Sequence, residues 1–137
     1  MLGNALTDDR EILTQGVSGG KEKMLANYCK NPENTILIGL YDTWIQSAKL
    51  WKSTDSIFLM KIPFDPPTDI FSLARTIGVA NNFMEYNLPT TILKIHTLLS
   101  HITLANPDAR MTCLDTRLWK NDWGKYIREE LLPNERK

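Results

Sequence analysis

Four short apolar runs, separated by stretches with helical features, constrain the fold of this chain most strongly. The runs are rich in β-branched and aliphatic residues and cover residues 12–15, 35–41, 56–62 and 111–114. Their hydrophobicity is nearly continuous rather than alternating, which is typical of parallel strands buried on both faces. Strands that alternate with helices along the chain predict an α/β domain with a mainly parallel sheet.

Three stretches between and after these runs carry the signals of helices. Residues 21–30 place apolar side chains on one side and end before an Asn-Pro pair. Residues 89–104 begin with a proline suited to a first helical turn. Their apolar positions recur every three or four residues, at Ile92, Ile95, Leu99 and Ile102. A third helix is predicted over residues 123–132, where Pro133 ends it.

Length and charge fit one globular domain without a general affinity for polyanions. The chain has 137 residues, with 16 basic and 16 acidic side chains, so its formal net charge is zero. Contact with nucleic acid therefore requires a local patch. Cys29 and Cys113 lack metal-ligand spacing, which indicates a reduced, intracellular setting. No apolar stretch is long enough for a membrane span and residues 1–6 lack signal-peptide features, which predicts a cytoplasmic location.

Two motifs in the middle of the chain are unusual for core sequence. Residues 61–67 read Lys-Ile-Pro-Phe-Asp-Pro-Pro, and residues 83–89 read Phe-Met-Glu-Tyr-Asn-Leu-Pro. They resemble the K-L-P-F-x-P-P and F-x-E-Y-x-L-P stretches in the second (C-terminal) motor lobe of DinG/XPD-type superfamily 2 DNA helicases. Other parts of that lobe's pattern follow in the same order: I-L-x-Q-G at residues 12–16, a strand ending at Gly39, a loop with Trp44, L-D-x-R at residues 114–117, and an aromatic-Gly pair at residues 123–124.

The resemblance implies a three-layer RecA-like domain over residues 12–133. A short arm, residues 1–11, precedes it, and a charged tail, residues 134–137, follows it. Eleven residues are too few for the family's first strand and its helix, so we expect the mainly parallel sheet to lack that strand. The resemblance also marks four residues as remnants of the nucleotide cleft: Gly39, Trp44, Asp115 and Arg117.

Asp115 and Arg117 have two interpretations. They follow a predicted strand at the end where ligands bind in α/β proteins, which favours a remnant of the ATPase cleft. Alternatively, they form a turn in which the aspartate caps backbone N–H groups and the arginine pairs nearby. Both interpretations remain open at the level of sequence.

The residues that serve catalysis in the family are missing. Residues 93–102 contain no arginine where relatives carry a glutamine and two arginines, and residues 45–48 read Ile-Gln-Ser-Ala in place of E-G-x-D. The Gly-rich segment 16–22 has one residue too few for a phosphate loop and continues with Glu22, so we interpret it as a turn and helix cap. We expect no ATP hydrolysis by the chain alone and no cofactor. ATP and magnesium would enter only if another chain supplied a first motor lobe.

The two histidines do not predict a metal site. His96 and His101 are five residues apart, which turns them about 140° from each other on a helix. No cysteine or third histidine is placed to complete a ligand set. We expect solvent-facing or boundary positions for both, and no bound metal.

Aromatic and basic residues mark candidate nucleic-acid contacts. Trp119 and Trp123 alternate with lysines, and bases of single strands stack on aromatic side chains beside basic groups. The same tryptophans are also common core or interface anchors. The basic residues that we select as candidates are Lys49, Lys52, Lys61, Lys120 and Lys125.

The preferred hypothesis is a non-catalytic, helicase-derived binding or scaffolding module in a nucleic-acid-processing complex. We expect a protein partner or self-association across the sheet region beside residues 36–38, where Trp44 and Trp51 serve as anchors. The alternative is the C-terminal part of a split ATP-dependent helicase that another chain completes. The missing arginines argue against that alternative, because such a lobe supplies an arginine to the shared nucleotide site. A decayed fragment without function is a third reading, but the apolar stripe retained in residues 89–104 argues against it.

Overall fold

All four predicted strands form, and they pair two by two. The computed structural model describes residues 9–66 and 68–131. Strand β1 (Glu11–Thr14) pairs with β2 (Thr35–Ile38), and β3 (Ser56–Leu59) pairs with β4 (Arg110–Cys113). Among the described residues, two two-stranded sheets therefore replace the single sheet expected from the sequence.

Both strand pairs are parallel, as the sequence predicted. In the first sheet, Glu11 lies opposite Thr35 and Thr14 lies opposite Ile38, so residue numbers increase in the same direction along both strands. In the second, the N–H groups of Arg110 and Leu114 donate to carbonyl oxygens 55 positions earlier in the chain, each at 2.9 Å. A constant offset means that the two chains run in the same direction.

Helices connect and cover the strands. They are α1 (Lys21–Lys30), α2 (Tyr41–Trp44), α3 (Ala48–Lys52), α4 (Ile70–Arg75), α5 (Leu88–Ala105), α6 (Arg117–Lys120) and α7 (Asp122–Leu131). A 3₁₀ turn covers Pro32–Asn34, and a π-helical turn over Phe83–Asn87 leads directly into α5. The three helices predicted from sequence are confirmed within about one residue as α1, α5 and α7. Residue 132, the predicted end of the last one, lies outside the described residues.

The described residues divide into two compact units. The first unit combines the chain up to Ser56 with His101–Arg110, and the second combines Ile57–Ser100 with the chain from Met111 onward. Helix α5 contributes to both. The structure is therefore mixed α/β with parallel strand pairs.

In the first unit, helices α1 and α3 supply most of the core. The buried apolar side chains include Leu13, Met24, Tyr28, Trp44, Leu50 and Trp51. The Tyr28 hydroxyl lies 3.0 Å from the Thr54 hydroxyl, and the latter donates to the Leu50 carbonyl at 2.6 Å. Trp44 and Trp51 are only 4% and 6% exposed. Our expectation that they anchor a partner is therefore wrong, because their rings are already buried within the unit.

In the second unit, α5 carries the centre of the core. Its predicted stripe is confirmed, since Ile95 is buried and Ile92 and Leu99 are half-buried in this unit, and Ile102 is buried where the helix continues into the first unit. The buried cluster consists of Ile62, Leu88, Ile95, Leu118 and Ile127, and Phe64, Phe83 and Trp123 are among the side chains that pack against it.

The second sheet is buried on one face only, which corrects the expectation of strands buried on both faces. Residues of β3 and β4 alternate between exposed and half-buried. Phe58 and Met60 are each 61% exposed, whereas Leu59, Met111 and Cys113 pack on the buried cluster. Successive side chains of a strand point to opposite faces, and the buried cluster covers the face that carries Leu59, Met111 and Cys113.

Candidate functional site

Asp115 organises the end of strand β4. Its carboxylate accepts hydrogen bonds from the Ile62 N–H at 2.9 Å and from the Arg117 N–H at 3.1 Å. The Arg117 guanidinium adds a fork, with Nε 2.9 Å from Oδ1 and Nη2 2.7 Å from Oδ2. This geometry is the turn in which the aspartate caps and the arginine pairs. It also ties the Lys-Ile-Pro-Phe segment to the end of the strand.

The electrostatics of this pair follow from its hydrogen bonds. The Arg117 guanidinium holds the pKa of Asp115 well below its usual range, and burial of the carboxyl group opposes this shift only in part. The N–H groups of Ile62 and Arg117 lower the pKa further. Reciprocally, the hydrogen bonds to Asp115 raise the pKa of Arg117. The pair is therefore fully ionised at neutral pH.

Gly39 and Trp44, the other two predicted cleft remnants, lie in the first unit. The Gln15 Oε1 accepts from the Leu40 N–H at 2.8 Å and from Trp44 Nε1 at 3.0 Å, and Gln15 Nε2 donates to Thr43 at 2.8 Å. A Cβ atom on Gly39 would overlap the Trp44 ring. These contacts give the Gln, Gly and Trp of the motifs a packing role within the first unit.

The Gly-rich segment forms a turn and a helix start, as interpreted from the sequence. Gly16 and Gly19 have φ angles of +84° and +105°, which favour glycine because other residues are strained there. The Ser18 hydroxyl accepts from the Thr14 N–H at 3.0 Å, and Gly20 is the N-cap of α1. The Lys21 ammonium lies 5.7 Å from the centre of the Trp44 ring. This contact with a nearby aromatic ring explains the position of the lysine side chain.

Trp119 lies at the centre of an aromatic and basic groove between α6 and α7. The groove is an open depression of about 340 Å³ lined by Trp119, Lys120, Asn121, Asp122, Lys125, Tyr126 and Arg128. We call it the Trp119 groove. Trp119 is 61% exposed and Tyr126 is 47% exposed, which leaves both rings accessible to a flat ligand.

Arg128 fixes the position of Trp119. Its guanidinium carbon lies 4.8 Å from the centre of the indole ring, and its Nη1 donates to the carbonyl of Leu118. Lys125 forms a loose pair with Glu129 at 3.9 Å, and both side chains are exposed. An exposed pair of this kind contributes little, so Lys125 can exchange it for another anion.

Trp123 does not line the Trp119 groove, and its selection as a nucleic-acid contact stays a prediction. Its ring is half-buried and meets Phe64 edge-on, with centroids 5.0 Å apart. Helical spacing explains the difference: Trp123, Ile127 and Leu131 are four residues apart on α7 and all face the core cluster.

The other basic candidates are exposed but do not line the Trp119 groove. Lys49 and Lys52 are on α3 in the first unit, and Lys61 follows β3 in the second. Sequence reasoning missed Tyr126 and Arg128, which complete the groove from the next helix. The signal that could have found them is the break between α6 and α7 at Asn121. After this break, α7 runs back beside Trp119.

Neither histidine takes part in a metal cluster. His96 is exposed and His101 is half-buried, which confirms their expected boundary or solvent-facing positions. Within residues 9–66 and 68–131, no group of three or more His, Cys, Asp or Glu side chains is arranged to hold a metal ion. In the same part of the chain, no helix has the length and apolar character needed to cross a membrane.

Comparison with known proteins leaves the family open. No family model, no curated protein and no solved structure matches the chain significantly.

Proposed function

We propose that this chain is a non-catalytic binding module that holds single-stranded nucleic acid in the Trp119 groove. The observation that carries the proposal is the pairing of two accessible aromatic rings, Trp119 and Tyr126, with basic side chains around them. Successive bases of a single strand stack on such rings whatever their sequence, because every base has a π-face.

The charge of the groove supports a polyanionic ligand. Three basic side chains, Lys120, Lys125 and Arg128, line it against one carboxylate, that of Asp122. The chain as a whole has no net charge. The attraction is therefore local, so we expect weak binding that depends strongly on salt.

We also propose that the two parallel strand pairs and their helices derive from the second motor lobe of a DinG/XPD-type helicase. The sequence motifs support this origin, and the absence of the family's arginines from α5 supports loss of the motor chemistry. In this proposal the module works within a nucleic-acid-processing complex and contributes binding rather than hydrolysis.

A titration of a labelled single-stranded oligonucleotide tests the binding function. The oligonucleotide has about 16 nucleotides, the upper end of the site size for a small domain. Fluorescence anisotropy at several salt concentrations should give a slope of log K against log salt near −2, since each of three phosphate contacts adds about −0.7. Trp119→Ala should weaken binding by about 5- to 150-fold, the loss of one stacked base.

Matched variants separate this site from general electrostatics. Lys125→Glu should weaken binding and flatten the salt dependence, whereas Lys49→Glu, an equal charge change on an exposed lysine of the first unit, should have little effect. Phe58→Ala controls for loss of an exposed aromatic ring. Equal affinity of Trp119→Ala and the unmodified protein, or no binding even at low salt, would contradict the proposal.

A further inference from the structure

A second cleft lies in the same unit and is independent of the Trp119 groove. It is an open depression of about 380 Å³ lined by Ile62, Phe64, Asp65, Pro66, Phe83, Asn87 and Arg117. A volume near the lower end of small-molecule sites has room for about one ring and its substituent. The Pro-Phe-Asp-Pro loop and the π-helical turn supply most of the lining, and π-helical turns often occur at functional sites.

The cleft has aromatic walls. The centroids of Phe64 and Phe83 lie 5.5 Å apart with their planes tilted by 43°. Both side chains are half-buried and rest on the core cluster, so their positions are fixed from behind. Such walls favour a flat ring, which can meet one aromatic face and the edge of the other.

Arg117 places an oriented cation at the cleft. Its guanidinium carbon lies 6.0 Å from the centre of Phe64 and 5.8 Å from the centre of Trp123. Asp115 binds the edge formed by Nε and Nη2, whereas Nη1 donates to no atom of the described residues. Asp115 thus fixes the plane of the guanidinium, and the edge that carries Nη1 remains available. That edge can donate two hydrogen bonds to the two oxygens of an oxyanion.

The charges at the cleft disfavour a ligand with two negative charges. Asp65 pairs with Lys94, and Asp115 pairs with Arg117, so the four groups sum to zero. A doubly charged phosphate would meet the nearby Asp65 carboxylate without a compensating cation, whereas a carboxylate brings half that charge. Asn87 also lines the cleft, and its amide forms no hydrogen bond within the described residues, so its NH₂ group is available to a ligand oxygen.

We propose that this cleft binds a small aromatic monocarboxylate, with the ring against the paired side chains of Phe64 and Phe83 and the carboxylate on Arg117 and Asn87. The proposal does not depend on nucleic-acid binding. It assigns to the Lys-Ile-Pro-Phe loop and the Phe-Met-Glu-Tyr-Asn turn a shared role in ligand recognition.

Three probes with the same ring test the proposal by isothermal titration calorimetry at pH 7. Phenylacetate should bind with 1:1 stoichiometry, and roughly tenfold or more tightly than phenylacetamide, because a charge-assisted hydrogen bond is stronger than a neutral one. Phenyl phosphate, with its larger charge, should bind more weakly than phenylacetate. Equal binding of the acid and the amide, or no saturable binding of phenylacetate, would overturn the proposal.

A nearly isosteric pair of variants locates the site. Asn87→Asp adds a negative charge inside the cleft and should weaken phenylacetate binding about tenfold or more, and clearly more than it weakens phenylacetamide binding, because only the acid is repelled by the new charge. Asn82→Asp makes the same change at an exposed position outside the cleft and should leave both affinities unchanged. Arg117→Lys keeps the charge but removes the fork, so it should also weaken phenylacetate. Urea midpoints verify that each variant is folded, and equal effects of the two Asn→Asp changes would refute the location.

Discussion

Two glycines are required by neighbours that a Cβ atom would strike. A Cβ atom on Gly39 would overlap the Trp44 ring, and one on Gly124 would overlap the backbone carbonyl of Leu118. The second conflict is the more severe, because a backbone carbonyl cannot rotate away as a side chain can. The same carbonyl also accepts a hydrogen bond from Arg128, which fixes it in place.

Gly124→Ala should therefore destabilise the protein strongly. Alanine favours a helix by about 1 kcal/mol over glycine. We nevertheless expect a loss of about 3 kcal/mol or more, because α6 and α7 must separate to make room. Urea denaturation measures the change. Gly20→Ala is the matched control, since no atom lies within 4 Å of its Cβ position and its φ is −73°. A similar loss in both variants would refute the packing explanation.

Asp115 should make stability depend on acid pH. Its pKa in the folded protein lies below the value of about 3.9 for an unfolded aspartate. The ionised carboxylate thus stabilises the fold above about pH 4, and this contribution is lost as the pH falls toward the lower, folded value. Asp115→Asn should cost about 1–3 kcal/mol at pH 7, because it breaks the pair with Arg117.

The difference between Asp115→Asn and the unmodified protein should shrink as the pH falls below about 4. Urea midpoints at pH 7, 4 and 3 test this expectation. Asp108→Asn, which neutralises an exposed carboxylate, should show no comparable loss at pH 7. A difference that stays constant with pH would mean that shape rather than charge explains the effect of Asp115→Asn.

Helix α4 and the two residues that follow it bury hydroxyl side chains and expose apolar ones. Ser72 and Thr76 are buried, whereas Ile70, Phe71, Leu73 and Ile77 are more than half exposed, the last at 83%. The buried side is held by hydrogen bonds: Asp69 accepts from the Ser72 N–H at 2.8 Å, and the Ser72 hydroxyl donates to Asp65 at 3.3 Å. These polar contacts fix the rotation of the helix, so its apolar residues form a patch of the kind found at interfaces.

We expect a second copy of the chain to cover this patch. Zero net charge leaves no long-range repulsion between copies, and a twofold contact would bury both patches at once. Sedimentation velocity should show concentration-dependent dimers. Phe71→Ser combined with Ile77→Ser should shift the protein to monomer without lowering its urea midpoint. Leu104→Ser, at an exposed leucine of the first unit, should not shift it. A monomer at every concentration would contradict this expectation.

At the scale of the whole molecule, each strand pair keeps parallel direction although it has only two strands. Each pair is joined by a connection that contains at least one helix, α1 in the first sheet and α5 in the second. Parallel strands require such crossovers. In the second unit, the exposed apolar residues Phe58 and Met60 and those of α4 offer further apolar surface. The contact surface that the sequence predicts beside residues 36–38 in the first unit stays a prediction.

The sequence by itself determined the local elements, because their signals are local. Four apolar runs became four strands, and the spacing along α5 placed Ile95 and Ile102 in the core. Asp115 and Arg117 are two residues apart, so their pairing was also open to prediction. The sequence also identified Trp119, Lys120 and Lys125 of the groove as candidate contacts, because they lie within a few residues of one another.

Only the tertiary structure decided which distant residues meet and which faces are buried. Phe64, Phe83 and Arg117 form one cleft although up to 53 positions separate them, and no local pattern records that contact. Trp119 and Trp123 looked equivalent in sequence, yet one is exposed and the other packs on Phe64. The physical reason is that burial depends on what a neighbouring element presents, whereas helix and strand formation depends mainly on residues close along the chain.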